Sequence, residues 1–274
     1  MLLKVRDTNL DLVAILHKIT NPIISERINA DFLFSFSAYV EKEKMPYITA
    51  DNIVEVEDNY FKMAYFRRNG ISTDVVCEHV SYELTEYDVE VDTVFSGTPI
   101  TILSQLLTNT PFSVGTVDVS ESISFKVVNK STVRKILLDY VAHLDAELIF
   151  DKFTIHLVSK RGTNKGVQFR RGKNLLGITE EIDTRGGGLR IAYEVDIIDL
   201  SHMPNFPYLR ELEKAELGDI VKVIDEDMLI DINARIVARD YNPFRKINPK
   251  VEIGNFIRDL GDSLVNKSSD IAIL

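Results

Sequence analysis

Short segments that alternate apolar and polar residues recur along this chain. That period-two rhythm restricts the fold more than any other feature, because it fits pleated strands with one buried face. The clearest case is Ile230, Ile232, Ala234, Ile236 and Ala238, with Asp231, Asn233, Arg235 and Arg239 directed the other way. One face should be buried and the other wet. The run 219–225 precedes it, and Asp225-Glu226-Asp227 joins the two. That acidic triplet lacks the glycine and closing glutamate of a calcium loop, so it reads as a charged hairpin turn.

Residues 1–95 read mostly as strands. Phe32, Phe34 and Phe36 alternate with Leu33 and Ser35, which suits a sheet with one face fully buried and the other partly so. The run 60–67 leads through Asn69-Gly70 into 71–79, and Asn-Gly tolerates the positive φ angles of a type I′ turn. Ile71, Thr73, Val75 and Cys77 would then share one strand face, with Cys77 in the core. Thr98 and Pro99 open a short helix. Thr98 is placed to cap free amides, Pro99 sacrifices no donor at the first helical position, and Ile102, Leu103, Leu106 and Leu107 form the apolar stripe. Asn109-Thr110-Pro111 ends it.

Ser131-Thr132 starts the clearest amphipathic helix, with Val133, Ile136, Leu137, Tyr140, Val141 and Leu144 at three-and-four spacing. A hairpin comes next, 146–149 and 153–158 around Asp151-Lys152, and Arg161-Gly162 and Lys165-Gly166 mark turns before a strand at 167–170. Gly186-Gly187-Gly188 fits a link, since consecutive glycines lose the most backbone entropy when ordered. An apolar strand resumes at 196–199, Pro204 and Pro207 break the region after it, and 208–215 reads as a helix. Tyr241-Asn242-Pro243 closes the alternating strand. Ile253, Phe256, Ile257, Leu260 and Leu264 give a helical stripe before a frayed tail from Lys267.

With 274 residues and 45% hydrophobic composition the chain can bury a genuine core. Its formal charge of −10, from 32 basic and 42 acidic residues, opposes a broad duplex-binding surface. Cys77 is the only cysteine, so no intramolecular disulfide forms and a thiolate zinc site lacks its usual ligands. Folding in a reducing cytosol is expected. Charge at Lys4, Arg6 and Asp7 interrupts any signal-peptide core, and no run reaches the ~20 apolar residues of a membrane span. Stable membrane insertion is not expected.

Candidate chemistry is sparse. His17, His79, His143, His156 and His202 are scattered; His79 lies two residues from Cys77, yet one thiol and separate imidazoles do not fill a metal's tetrahedron. There is no His-Glu-x-x-His or Gly-x-Ser-x-Gly stretch, and Gly186-Gly187-Gly188 lacks the lysine of a phosphate loop. Glu180, Glu181 and Asp183 invite comparison with glycosidase carboxylates held roughly 5–9.5 Å apart. Glu181 and Asp183 can share a strand face, although a solvated face or turn is the simpler reading. Lys160, Arg161, Lys165, Arg170, Arg171 and Lys173 form the one basic concentration. It reads first as a solvated hairpin, next as a contact with an acidic neighbouring subunit, and last as a phosphate contact, since only Phe169 interleaves it. No catalytic residue, metal site or cofactor is expected.

Early in the chain stand Phe36-Ser37-Ala38-Tyr39 and Asn52-Ile53-Val54-Glu55-Val56. In the middle come Phe153-Thr154-Ile155-His156-Leu157, Arg161-Gly162, Gly166-Val167-Gln168-Phe169-Arg170, Gly172-Lys173-Asn174-Leu175 and Gly177-Ile178. Later stand Tyr193-Glu194-Val195-Asp196, Leu200, Leu217-Gly218-Asp219, Ile232-Asn233-Ala234-Arg235-Ile236-Val237, Tyr241-Asn242-Pro243 and Glu252-Ile253-Gly254-Asn255. In this order they resemble the prophage tail protein family, the amino-terminal hub region of phage tail-associated lysins and tail endopeptidases.

The resemblance implies a mainly β fold with short helices (α+β), built like a baseplate hub from tandem tail-tube-related β domains with an inserted α+β module. On that pattern 1–95 is the first hub domain and 96–180 the inserted or second module. Residues 181–250 form the second hub domain, which an insertion can make discontinuous, and 251–274 a terminal helix and tail. It implies a non-enzymatic homotrimer at the virion tail tip, made in the bacterial host cytoplasm. Its partners would be distal tail, tail-tube and tape-measure proteins, with DNA in transient passage. Members often continue into a hydrolase or receptor-binding region, whose activities are not transferred here. Longer relatives carry extra sequence where Gly186-Gly187-Gly188 stands, which suggests a compact module or an excision. An acidic lumen would repel DNA phosphates, though composition assigns no Asp or Glu to it. Two other readings are a glycan hydrolase using Glu181 or Asp183, and a receptor-binding module using a protruding sheet.

Overall fold

The computed structural model describes residues 2–39, 41–184, 190–198, 215–254 and 269–274. The glycine link at Gly186-Gly187-Gly188, Leu200, His202, Pro204, Pro207, the expected helix before Ala215, Asn255, and the stripe of Phe256, Ile257, Leu260 and Leu264 up to Lys267 lie outside them. Strands predominate, as the alternation requires. Two compact units interleave along the chain: one combines Lys18–Ala38 with Arg161–Ser263, and the other combines Leu2–His17, Tyr39–Lys160 and Leu264–Leu274.

The first unit is organised by the long strand Ile230–Asn242. Along one flank it pairs antiparallel with Ile247–Gly254; along the other it pairs first with Ile220–Asp225 and then with Ile19–Arg27. Arg190–Ile197 and Leu175–Asp183 continue the first flank, and Phe32–Tyr39 comes after Ile19–Arg27. Gln168–Arg170 joins Ile220–Asp225 as a parallel neighbour. Val195, Ile236, Val251 and Ile253 are fully buried with Phe169 and Val223, each such side chain contributing roughly 1.5–3 kcal/mol. The expected alternation of Phe32, Phe34 and Phe36 holds: all three are buried, and Leu33 and Ser35 are half-buried.

Two departures have local causes. A register shift between Ile236 and Ala238 places an extra residue in the alternating strand, so Val237 is buried beside them. Ile253, expected in a helix, lies in the strand Ile247–Gly254, because Val251 and Ile253 find a buried sheet face. Pro249 is accommodated there where the pairing with Asp240 and Asn242 slips and the ladder is already interrupted.

The second unit holds a five-stranded antiparallel sheet in the order Leu12–Leu16, Leu3–Arg6, Ile53–Val56, Asn59–Arg68, Ser72–His79. Two three-stranded sheets accompany it: Val94–Gly97, Ile123–Val127 and Ile271–Ile273, and Ser113–Val117, Thr154–Val158 and Glu147–Asp151. The helices Pro99–Leu106 and Val133–His143 turn their expected stripes onto a core shared with Phe125, Leu148 and Leu157. Thr132 caps the second helix, its hydroxyl accepting the Lys135 amide at 3.4 Å. Thr98 occupies the cap position, but its hydroxyl meets that of Thr101 at 2.9 Å instead of an amide.

The Asn69-Gly70 hairpin forms one residue later than a type I′ turn would place it. Gly70 has φ +90°, Asn69 is not in the left-handed region, and the Asn69 amide donates to the Ser72 carbonyl at 3.0 Å. The Asn69 side chain accepts from the amides of Ile71 and Ser72, a local bond that sets the turn. Ile71 therefore sits at the tip, 73% exposed, while Thr73, Val75 and Cys77 are buried along the strand.

Tyr140 is wholly buried on the helix Val133–His143, its ring tilted against Phe125 at 5.4 Å, and its hydroxyl has no hydrogen-bond partner among the described residues. Burial, with the Glu121 charge, pushes the phenol up to about 12. An unpaired buried hydroxyl costs on the order of 1–3 kcal/mol. Tyr140→Phe is therefore expected to raise stability by ~1 kcal/mol in urea denaturation; a loss of stability would show that the hydroxyl is bonded.

Candidate functional site

The basic run at 160–173 is largely neutralised within the chain. Lys160 pairs with Asp145 at 3.2 Å, Arg161 with Glu26 at 2.9 Å, Lys165 with Asp219 at 2.9 Å, Arg170 with Glu226 at 2.6 Å and Arg171 with Asp225 at 2.6 Å. Lys173 is exposed and without an acidic partner among the described residues. Lys160 belongs to the second unit and the other five to the first. The sequence brings the cations together; the fold assigns most of them an acid.

Two buried carboxylates explain that assignment. Asp219, 1% exposed, accepts the amides of Thr163 at 2.8 Å and Glu216 at 2.9 Å as well as the Lys165 ammonium. Burial alone would push its carboxyl up, but these donors outweigh it and hold the group below its ordinary range. Around it two turns cross so closely that a Cβ on Gly162 would lie 2.0 Å from the Gly218 carbonyl carbon, and both glycines have positive φ. Arg235 ties the crossing, donating to the carbonyls of Gly218 at 3.0 Å and Arg161 at 2.7 Å. Asp225, fully buried, takes the Arg171 guanidinium and the amides of Asp227 and Met228, and Arg171 foremost holds its carboxyl down. Arg161-Gly162 and Leu217-Gly218-Asp219 thus carry structural work.

The other candidates are separated or occupied. Glu180 and Glu181 are exposed on the strand Leu175–Asp183, and Glu180 bonds Tyr193, whose phenol burial and that contact push up to about 12. Asp183 ends the strand; its side chain is not among those described. Cys77 is buried, which pushes its thiol well up. His79 shares its face, but Nδ1 accepts the Ser81 amide at 3.1 Å and Nε2 meets the side-chain carbonyl of Asn59 at 3.2 Å, so both ring nitrogens serve the fold. Among the described residues no group of His, Cys, Asp and Glu is placed to hold a metal, and no helix is long and apolar enough to cross a membrane.

A charged surface unmarked by the sequence reading emerges on the first unit's sheet, opposite Val195, Val251 and Ile253. One row across the strands reads Glu194, Glu252, Ala238, Arg27, and the next reads Asp196, Lys250, Asp240, Ser25. Arg27 reaches past Ala238 to grip Glu252 with two bonds, 2.6 and 2.7 Å, and Lys250 holds Glu194 at 2.8 Å. Hydrogen bonding to Glu252 and to Glu194, respectively, raises both cations above their ordinary values. The signal lay in the alternation of 193–197 and 250–253, whose mates could be known only from the register.

The family described as prophage endopeptidase tail matches residues 189–264. The chain's fold is similar to three solved structures. Prophage tail protein gp18 from Listeria monocytogenes aligns at TM-score 0.67 and 14% identity, covering 96% of this chain and 97% of that one. The 43 kDa tail protein of prophage MuSo2 from Shewanella oneidensis aligns at 0.64 and 13%, covering 93% and 97%. A tail protein from Neisseria meningitidis aligns at 0.59 and 10%, covering 93% and 96%. No curated protein matches at the sequence level. The family match is confined to that segment, and the likeness to the solved structures is one of fold.

His79 offers a pH test of its structural role. Burial, aided by the nearby Arg134 charge, lowers its pKa to about 3. In the unfolded chain the value is ~6.5, so below that the unfolded state binds more protons and stability falls progressively as pH drops toward 3. Between pH 7 and pH 5 the loss from this group should be about 2 kcal/mol. Urea denaturation at the two pH values should show that loss in the wild type and not in His79→Gln; equal pH dependence would refute the buried neutral imidazole.

Proposed function

We propose that this chain is a non-enzymatic structural component of a phage tail tip, a hub whose three copies continue the tail tube around a passage for DNA. The observation that carries the reading is the likeness of fold to prophage tail proteins over nearly the whole of this chain and of theirs. Edge strands give it a physical means. Among the described residues Leu12–Leu16 pairs along one flank only, as does Leu175–Asp183 beyond the bridge of Leu175 to Arg171, and an unpaired edge accepts a further strand. Closed symmetry then repeats one such contact until no edge remains.

In this reading the partners are tail-tube, distal tail and tape-measure proteins, and the place is the virion tail tip after synthesis in the host cytoplasm. Lys173, without an acidic partner among the described residues, is the cation of the basic run that would meet an acidic neighbour. Peptidase activity is not part of this reading. Cys77 is buried with a raised thiol, both nitrogens of His79 are engaged, and Glu180 and Glu181 lie on an exposed strand.

Assembly energy arises partly in the tail, so the test includes the tail-tube protein. Native mass spectrometry and negative-stain imaging across concentration are expected to show threefold rings that bind it. A chain that stays monomeric with that protein present would overturn the hub. So would cell-wall hydrolysis abolished by Glu181→Gln or Asp183→Asn with the fold intact.

A further inference from the structure

We infer that Asn69 is a site of spontaneous deamidation in the folded protein, a covalent modification that its own turn promotes. The reaction needs an electrophile, a nucleophile and room, and the tip of the hairpin between Asn59–Arg68 and Ser72–His79 supplies all of them. The electrophile is the Asn69 side-chain amide. Its Oδ1 accepts from the amides of Ser72 at 2.9 Å and Ile71 at 3.3 Å and from the Ser72 hydroxyl at 3.1 Å. These donors polarise the carbonyl and stand where negative charge develops. The nucleophile is the Gly70 amide nitrogen, which donates to no group among the described residues. Gly70 has no Cβ to hinder approach, and even a Cβ built there would meet nothing within 4 Å. Both residues are exposed, so hydroxide and water reach them.

The steps balance with water as the co-reactant. Hydroxide removes the Gly70 amide proton, and the nitrogen attacks Asn69 Cγ, forming an N–C bond in a cyclic imide precursor and placing charge on Oδ1. Collapse breaks the Cγ–Nδ2 bond, and Nδ2 takes a proton from water and leaves as ammonia. Water then opens the imide at either carbonyl, leaving an aspartate or an isoaspartate at position 69. Isoaspartate carries an extra methylene in the backbone, which displaces the acceptor from Ser72 and resets the turn beside the exposed Ile71. Two other asparagines serve as comparisons. Asn242 Oδ1 accepts the amides of Phe244 at 3.1 Å and Arg245 at 3.0 Å, the same spacing of donors, but the next residue, Pro243, has no N–H to lose. Asn164 accepts the Gly166 amide at 3.0 Å, and the next residue, Lys165, carries a Cβ beside its nitrogen. Of the three, Asn69 alone joins a polarised carbonyl to an unhindered amide.

The test incubates the full chain, folded and in guanidinium chloride, at neutral and mildly alkaline pH. Products are followed by ion-exchange chromatography and by peptide mapping that separates aspartate from isoaspartate. In the folded chain position 69 is expected to convert ahead of every other asparagine, at a rate proportional to hydroxide and at least as fast as in guanidinium chloride. Ser72→Ala removes one donor to Oδ1 and is expected to slow folded-state conversion several-fold. Folded Ser72→Ala that converts as fast as wild type would overturn the inference. So would a folded wild type in which Asn69 outlasts other asparagines or converts more slowly than in guanidinium chloride, a comparison that needs no variant to fold.

Discussion

A carboxylate can be buried only if donors replace the water it loses. Asp219 and Asp225 satisfy that condition and in doing so fix the turns of the first unit. Asp225 collects two amides of its own turn, Asp219 one of its own turn and one from Thr163, and each takes a cation from a segment distant in the chain. Asp219 sits at the crossing of two glycine turns, which a side chain on either glycine would force apart. Asp225 roots the hairpin between Ile220–Asp225 and Ile230–Asn242, and Arg171 joins it to the turn after Gln168–Arg170. The parallel pairing of Gln168–Arg170 with Ile220–Asp225 lies between these two anchors.

The same internal pairing bears on function. A cation held by an acid of its own chain is poorly available to phosphate or to a partner's carboxylate. The run of lysines and arginines that looks like a binding site therefore behaves mostly as structural cross-linking, and the polar sheet face repeats the arrangement with acid in excess.

Much of the fold was legible because period and composition act locally. The helix 133–143 declared itself by its stripe, and Phe32, Phe34 and Phe36 announced their buried face. Ile253 was not legible as a strand residue, because Ile253, Phe256 and Ile257 mimic helical spacing and only the partners of Val251 and Ile253 reveal the sheet. Asn69-Gly70 marked a hairpin correctly, but the turn's centre was decided by the Asn69 side chain, which composition does not register. The site was far less legible. Asp219, Asp225 and Arg235 act through residues tens of positions away, and the row Glu194, Glu252, Ala238, Arg27 exists only once four strands are in register. The basic run was visible in sequence, whereas its acids, Glu26, Asp145, Glu226 and the buried aspartates, were dispersed.

Carbon-detected NMR titration of the aspartate carboxyls tests most directly whether buried, multiply bonded carboxylates organise the first unit. Asp219 and Asp225 should stay ionised below the range in which exposed aspartates take up protons, and should titrate only as the unit unfolds in acid. Ordinary titration of both, near ~3.9 with the fold intact, would contradict the account.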